Sequence, residues 1–194
     1  MRITGLGAFL IGLAFMLAAF SDIFLFPVNA LAGDLLAIAG VALVIVESWA
    51  LGTEQRRNVL LGMALYVFAQ LLGFLTGVRT VSQSLSLSVV AAGPSAVAAP
   101  PASLLAFMVM AMIVNSLVYM SFFLFLHRIS SGEHRALLWL GLLGGLFISI
   151  IIIPLGEILN FYSIGGVGAV LSILKGIVNI VFGVSYIITG VYLK

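Results

Sequence analysis

The sequence predicts an all-α integral membrane protein built as a six-transmembrane-helix bundle. Hydrophobic residues make up 63% of the 194 residues and charged residues only 7%, and the mean hydropathy is +1.34. Soluble domains carry roughly a quarter charged residues, so this composition excludes a soluble globular protein. The apolar residues also form long runs separated by short polar gaps, which is typical of a chain that crosses a membrane several times.

Six runs are long enough to cross the bilayer, because about 20 apolar residues in a helix span ~30 Å of hydrocarbon and satisfy their own backbone there. We place them at residues 5–26, 31–51, 59–78, 103–126, 136–155 and 167–192, in a single membrane domain that covers residues 1–194. Turn-forming and charged residues fill the gaps, for example Pro27 and Asn29 after the first run and Gly156 and Glu157 after the fifth.

The positions of the cationic side chains predict the orientation of the bundle. In a six-span arrangement one side receives Arg2, Arg56, Arg57, Arg128, Arg135 and Lys194. The other side receives only Arg79. Because arginine and lysine are retained on the cytoplasmic side, we expect a multi-pass protein of the cell membrane with both termini in the cytoplasm.

The predicted outer loop at residues 79–102 is longer than the other gaps between the apolar runs. Its segment 80–89, which begins at Thr80 and ends at Val89, alternates polar and apolar residues, a period that predicts a β-strand or hairpin. We interpret the segment as a low-complexity loop that lies on the outer surface. An isolated strand needs a partner for its edge groups, so the first alternative is a strand or hairpin that docks onto another chain or a second copy. The second alternative is a further membrane span.

Lys175 is the one cation well inside an apolar run, about eight residues into the sixth. An intramembrane charge persists only when another group compensates it. The outer ends of other spans carry Asp22, Asp34 and Glu157, toward which a lysine can extend. We expect a lock between helices in which Lys175 pairs with Asp34 or Glu157. The alternative is a path for an ion, a proton or a solute.

Uncharged polar residues also fall near the middle of the predicted spans. Gln70, Asn115 and Asn179 are the amides among them, and Asn179 shares a helix face with Lys175 because it lies four residues later. Hydrogen bonds between helices are one interpretation, and a polar pathway or a quinone-sized site is the other. The predicted polar cluster therefore comprises Lys175, Asp34, Glu157, Asn179, Asn115 and Gln70.

Small residues at a spacing of four predict close helix packing, because they let two backbones approach each other. They are Gly73 and Gly77 in the third run, Gly141 and Gly145 in the fifth, and Gly168, Ser172 and Gly176 in the sixth. They pack either within one bundle or against another subunit.

Several chemistries lack the residues they need. The chain contains no cysteine, which excludes disulfides and thiolate sites, and its two histidines, His127 and His134, fall at the predicted cytoplasmic edge without a set of carboxylates. A formal net charge of +2 is too small to favour nucleic-acid binding. We predict no catalytic residue, no cofactor-binding residue and no metal site. Lipid contacts are expected, while a bound quinone has no support from a specific motif.

Two hypotheses about function follow from these observations. The first is a non-catalytic integral-membrane subunit that packs against partners in a larger membrane complex, with an energy-transducing or respiratory complex as the expected setting. Its partners are membrane lipids and other membrane subunits or a second copy. The alternative is a small channel or secondary transporter with a polar path around Lys175.

Overall fold

The computed structural model describes residues 3–24, 30–77, 102–130, 133–161 and 167–192, and these residues are helical apart from short turns. The helices are α1 (Ile3–Phe24), α2 (Ala30–Ser48), α3 (Thr53–Thr76), α4 (Ala102–His127), α5 (Glu133–Phe147), α6 (Ile153–Phe161) and α7 (Val167–Tyr192). A π-helical turn, Ile148–Ile152, joins α5 to α6.

Five stretches in the described part of the chain are long and apolar enough to cross a membrane. They are Ile3–Phe24, Thr53–Thr76, Ala102–His127, Arg135–Leu159 and Ala169–Tyr192. The predicted class, a helical membrane protein, is thereby confirmed. The apolar part of α2 is the shorter run Leu35–Ser48, so a sixth span stays a prediction. The predicted strand at 80–89 lies outside the described residues.

The helix of the fifth predicted span continues past the predicted break. The sequence placed the end of this span at residue 155, with a break at Gly156 and Glu157, but helical backbone continues through the π-helical turn and α6 to Phe161. Pro154 has no N–H group to donate, and the chain meets this loss with the π-helical turn just before it, in which the Ile153 N–H donates to the Ile148 carbonyl. A Cβ on Gly156 would lie 3.5 Å from Leu171 of α7, an ordinary contact distance.

The first and last helices pack against each other through small residues spaced seven apart. A Cβ on Gly12 would lie 2.8 Å from the carbonyl oxygen of Gly183, and a Cβ on Gly190 would lie 2.6 Å from that of Gly5. We call this row of contacts the α1–α7 ladder. At its other end a Cβ on Gly176 would lie 3.1 Å from the Ala19 carbonyl oxygen. The three contacts run in opposite chain directions, so α1 and α7 are antiparallel and no larger side chain fits between them.

A second close contact joins α1 to α2. A Cβ on either Gly7 or Gly40 would lie 2.6 Å from the carbonyl oxygen of the other residue. At the end of this hairpin the Glu47 carboxylate accepts hydrogen bonds from the backbone N–H and the hydroxyl of Thr4. A carboxylate at a helix N-terminus satisfies a backbone donor that has no partner within the helix and complements the helix dipole. Glu47 thus ties the start of α1 to the end of α2.

Buried aromatic rings fill the space between α1, α4 and α7. The Phe15 ring of α1 lies 4.8 Å from the Phe182 ring and 5.1 Å from the Phe122 ring, measured between centroids. Tyr186 is fully buried, and its hydroxyl donates to the Phe122 carbonyl. These contacts hold α7 against both α1 and α4, which places the polar side chains of α7 in the interior.

Four of the predicted cationic residues lie at one end of the bundle. The Gln55 amide on α3 donates to the Arg128 carbonyl at 3.4 Å, so the α2–α3 and α4–α5 connections meet at this end. The Arg56 guanidinium lies 3.7 Å from the centre of the Trp49 ring, a cation–π contact. The end as a whole carries Arg56, Arg57, Arg128 and Arg135. A cytoplasmic location for it stays a prediction.

Two of the small residues predicted to pack, Gly141 and Gly145, lie against aromatic rings. A Cβ on Gly141 would lie 2.2 Å from the Phe182 ring, and one on Gly145 would lie 2.4 Å from the Tyr119 ring. Gly73 is buried on α3 and Ser172 half-buried on α7. The surroundings of Gly168 lie outside the described residues.

Gly77 lies at the C-cap of α3 and not inside the helix, as its predicted packing role assumed. This residue follows the last residue of α3 with a φ of 70°, and no atom of the described residues lies within 4 Å of a Cβ added to it. Its N–H donates to the Phe74 carbonyl at 3.4 Å. Gly77 is present because a left-handed C-cap favours glycine, and the spacing of four from Gly73 is incidental.

Candidate functional site

A buried ion pair joins the last helix to the first. Lys175 of α7 is 5% exposed, and its Nζ donates to Oδ1 of Asp22 on α1 at 3.0 Å. The side chains of the two residues are 7% and 13% exposed, so water reaches neither freely. Each charge compensates the other in a region where an unpaired charge is costly.

Asn179 extends this pair toward α4. It lies one turn after Lys175 on the same face of α7 and is fully buried. Its Nδ2 donates to the second carboxylate oxygen of Asp22 at 3.2 Å, and its Oδ1 accepts from the Tyr119 hydroxyl at 2.9 Å. An amide offers both a donor and an acceptor, which suits it to bridge a carboxylate and a hydroxyl. We call Asp22, Lys175, Asn179 and Tyr119 the Asp22 network.

The network connects three helices and uses both oxygens of its carboxylate. Asp22 comes from α1, Tyr119 from α4, and Lys175 and Asn179 from α7. Linked hydrogen bonds in a low-dielectric interior strengthen one another when every member is satisfied. The arrangement is therefore suited to fixing the relative positions of three helices.

The partner of Lys175 differs from the two acids that the sequence favoured. Glu157 is buried on α6 and forms no ion pair among the described residues, so its predicted pairing with Lys175 is wrong. The side chain of Asp34 lies outside the described residues. Asp22 takes the role because the α1–α7 ladder sets Ala19 opposite Gly176, which brings the carboxylate one turn further along α1 to the level of Lys175.

One sequence pattern that indicates Asp22 as the partner of Lys175 was missed. Gly5, Gly12 and Ala19 repeat every seven residues on α1, and Gly176, Gly183 and Gly190 do so on α7. Two such stripes that pack antiparallel have one register in which all their small residues meet. That register places Asp22 beside Lys175.

The two remaining amides of the predicted cluster are Asn115 on α4 and Gln70 on α3. Asn115 is buried one turn before Tyr119 on α4, and its Nδ2 donates to the Ala111 carbonyl at 2.9 Å. Its Oδ1 has no hydrogen-bond partner in the described structure. Gln70 is half-buried on α3. The predicted joining of Asn179 with Lys175 on one face of α7 corresponds to the observed geometry.

The described residues offer no metal centre, since no three histidine, cysteine or acidic side chains among them come together. No protein-family model, curated protein or solved structure matches the chain. The chemistry and packing of the helices are therefore the basis for a functional assignment.

Proposed function

We propose that this chain is a non-catalytic integral-membrane subunit that packs against partner proteins in a larger membrane complex. The observation that carries the proposal is the Asp22 network. The ion pair between Lys175 and Asp22 is closed at 3.0 Å, and Asn179 adds a bridge to Tyr119. These intramembrane polar groups hold helices together, as expected of a scaffold whose task is to present a rigid surface.

The surface available to a partner is on α3. In its most apolar stretch 22% of the residues are buried, against 44% to 56% in the other four candidate spans. Phe74 is 86% exposed and Leu75 78% exposed, and Phe68 and Leu71 extend the apolar surface by two turns toward the start of the helix. We call these four residues the α3 face. A neighbouring membrane helix would bury it by van der Waals packing.

Purification in a mild detergent tests the proposal directly. We expect the full-length protein, extracted from its native membrane, to migrate as a larger species with a second polypeptide in fixed ratio. A single species that contains this chain alone, one copy per particle, would contradict the subunit assignment.

Site-specific photo-crosslinking identifies the docking surface. A photoreactive residue in place of Leu71, which is 57% exposed on α3, should give a discrete protein adduct in native membranes. Leu143 on α5 is a matched control, because it is 60% exposed but lies on another helix. Lipid adducts alone from both positions would exclude the α3 face as the interface.

The expected setting in an energy-transducing or respiratory complex has its own measurement. A complex of that kind carries haem, flavin or iron–sulfur groups on its catalytic subunits. We expect the purified assembly to show their visible absorption while the isolated chain does not. An assembly without such groups would retain the subunit role and remove the respiratory setting.

The second candidate is a small channel or transporter, and the link between polar side chains of α1, α4 and α7 favours it. Lys175 is the group on which such a path depends. A Lys175→Met variant in liposomes is expected to lose flux if the path exists. A folded variant that keeps the full flux of the unmodified protein would exclude Lys175 from transport.

A further inference from the structure

A second buried carboxyl lies apart from the Asp22 network. Glu157 is on α6, four residues before its end, and is 4% exposed. Its Oε2 has no hydrogen-bond partner in the described structure. Removing a carboxylate from water without a counter-charge costs far more than removing the neutral acid, so a carboxyl in this position favours the protonated form.

The neighbouring helices supply no free counter-charge among their described residues. Their ionisable side chains are Tyr119 and His127 on α4 and Lys175, Tyr186 and Tyr192 on α7. The Lys175 ammonium is already 3.0 Å from Asp22, and the hydroxyls of Tyr119 and Tyr186 donate to other acceptors. His127 packs against the Phe123 ring and, edge-on, against the Trp139 ring at the opposite end of α4. None of these contacts reaches Glu157.

The backbone just before Glu157 is irregular. The π-helical turn Ile148–Ile152 and Pro154 fall within the nine residues that precede it. Pro154 has no N–H, so one carbonyl of the preceding turn loses its ordinary helical donor. Single π-helical turns inside helices occur often at functional sites. Glu157 thus follows a stretch in which the ordinary helical hydrogen-bond pattern is interrupted.

We propose that Glu157 is a proton-binding carboxyl inside the membrane domain, held as the neutral acid while α6 packs against α4 and α7. The ligand is the proton itself. This role is independent of the subunit assignment, since a proton-binding group serves a scaffold and a transporter alike.

A hydrophobic carbodiimide tests the proposal because it reacts with neutral carboxyls in apolar surroundings. The acid transfers its proton to one carbodiimide nitrogen, and the carboxyl oxygen bonds to the central carbon to form an O-acylisourea. The acyl group then migrates to nitrogen, where a C–N bond forms as the C–O bond breaks, and a stable N-acylurea remains. The addition has no leaving group and no redox step.

The experiment uses the unmodified full-length protein in phospholipid vesicles, treated with dicyclohexylcarbodiimide and mapped by peptide mass spectrometry. We expect Glu157 to carry the label, and the labelling to fall about tenfold per pH unit once the buffer is alkaline enough to remove its proton. Asp22, which is paired with Lys175, and Glu47, which accepts from Thr4, are internal controls and should stay unlabelled. Glu157→Gln should abolish the label at this peptide.

A water-soluble carbodiimide and sodium ions distinguish a buried neutral carboxyl from an exposed carboxyl and from one that binds a metal cation. A water-soluble carbodiimide should label the exposed Glu54, whose side chain is 70% exposed, in preference to Glu157. The proposal is overturned if Glu157 stays unlabelled by the hydrophobic reagent at every pH, or if both reagents label Glu157 and Glu54 equally. Protection of Glu157 by sodium ions at constant pH would also overturn it, because the carboxyl would then bind a metal cation.

Discussion

Oδ1 of Asp22 on α1 lies 3.0 Å from Nζ of Lys175 on α7, although 153 residues separate the two in the chain. The pair connects the first described helix to the last, next to the small-residue ladder that brings the two backbones together. Close packing and charge compensation therefore act at the same interface. Helix association in a membrane depends on such contacts, because lipid tails are as apolar as leucine.

The ion pair is expected to be strongly coupled. Asp22→Asn or Lys175→Met alone leaves one buried charge without a partner, which costs about 3–5 kcal/mol. The double variant removes both charges and should lose less than the sum of the two single losses. Denaturant unfolding in detergent measures each free energy.

The exposed pair of Arg128 and Glu54 provides the control for this cycle. Its atoms are 3.7 Å apart, and its side chains are 50% and 70% exposed. Glu54→Gln should cost less than about 1 kcal/mol. Additive losses for Asp22→Asn and Lys175→Met would show that the buried pair contributes no coupling energy.

The hydrogen bond between Tyr119 and Asn179 should contribute about 0.6 kcal/mol, the mean for bonds between membrane helices, and at most ~1.7 kcal/mol. Tyr119→Phe removes the donor and leaves Asn179 Oδ1 without it. In an Asn179→Leu background the same change should cost almost nothing, since the acceptor is already absent. Thermal unfolding in detergent measures both costs.

Tyr186→Phe is the matched control, because the Tyr186 hydroxyl donates to the Phe122 carbonyl and has no part in the Asp22 network. Its cost should be the same with asparagine or leucine at position 179. A Tyr119→Phe cost that does not depend on the residue at position 179 would contradict the bridge.

Gly12→Ala should destabilise the packing of α1 on α7. The added Cβ would lie 2.8 Å from the Gly183 carbonyl oxygen and 2.7 Å from Ile187, and such overpacking typically costs 1–3 kcal/mol, as a rough guide. Gly33→Ala on α2 is the matched control, since no atom of the described residues lies within 4 Å of a Cβ added there. That change should be neutral or stabilise by up to ~1 kcal/mol through helix propensity. Equal effects of the two variants would argue against the ladder.

Gly77 should respond to backbone conformation rather than to side-chain volume. Gly77→Ala is expected to cost roughly 1–2 kcal/mol, because a φ of 70° brings a Cβ too close to the following carbonyl oxygen. Gly77→Asn should cost less, although asparagine is larger, since asparagine adopts this conformation more readily. The unfolding free energies of the two variants distinguish an effect of backbone conformation from an effect of side-chain volume. A greater loss of stability for Gly77→Asn than for Gly77→Ala would favour a packing role.

The helices, and the residues that share one face of a helix, were predictable from the sequence. The residues that contact each other between helices were less predictable. The apolar runs predicted helices, and the four-residue spacing placed Lys175 and Asn179 on one face. The same spacing placed Gly77 inside a helix, but this residue lies at the helix end. The break predicted at Gly156 does not occur, because helical backbone continues to Phe161. Spacing alone does not distinguish a residue inside a helix from one at its cap.

The sequence by itself determined the membrane class, because the length and hydropathy of a run decide whether it can cross hydrocarbon as a helix. It also determined that Lys175 needs a compensating group. Only the tertiary structure decided that this group is Asp22 and that Glu157 is left apart. The physical reason is that a charge pair depends on the register and rotation of two helices, and many contacts between small residues distant in the chain set both at once.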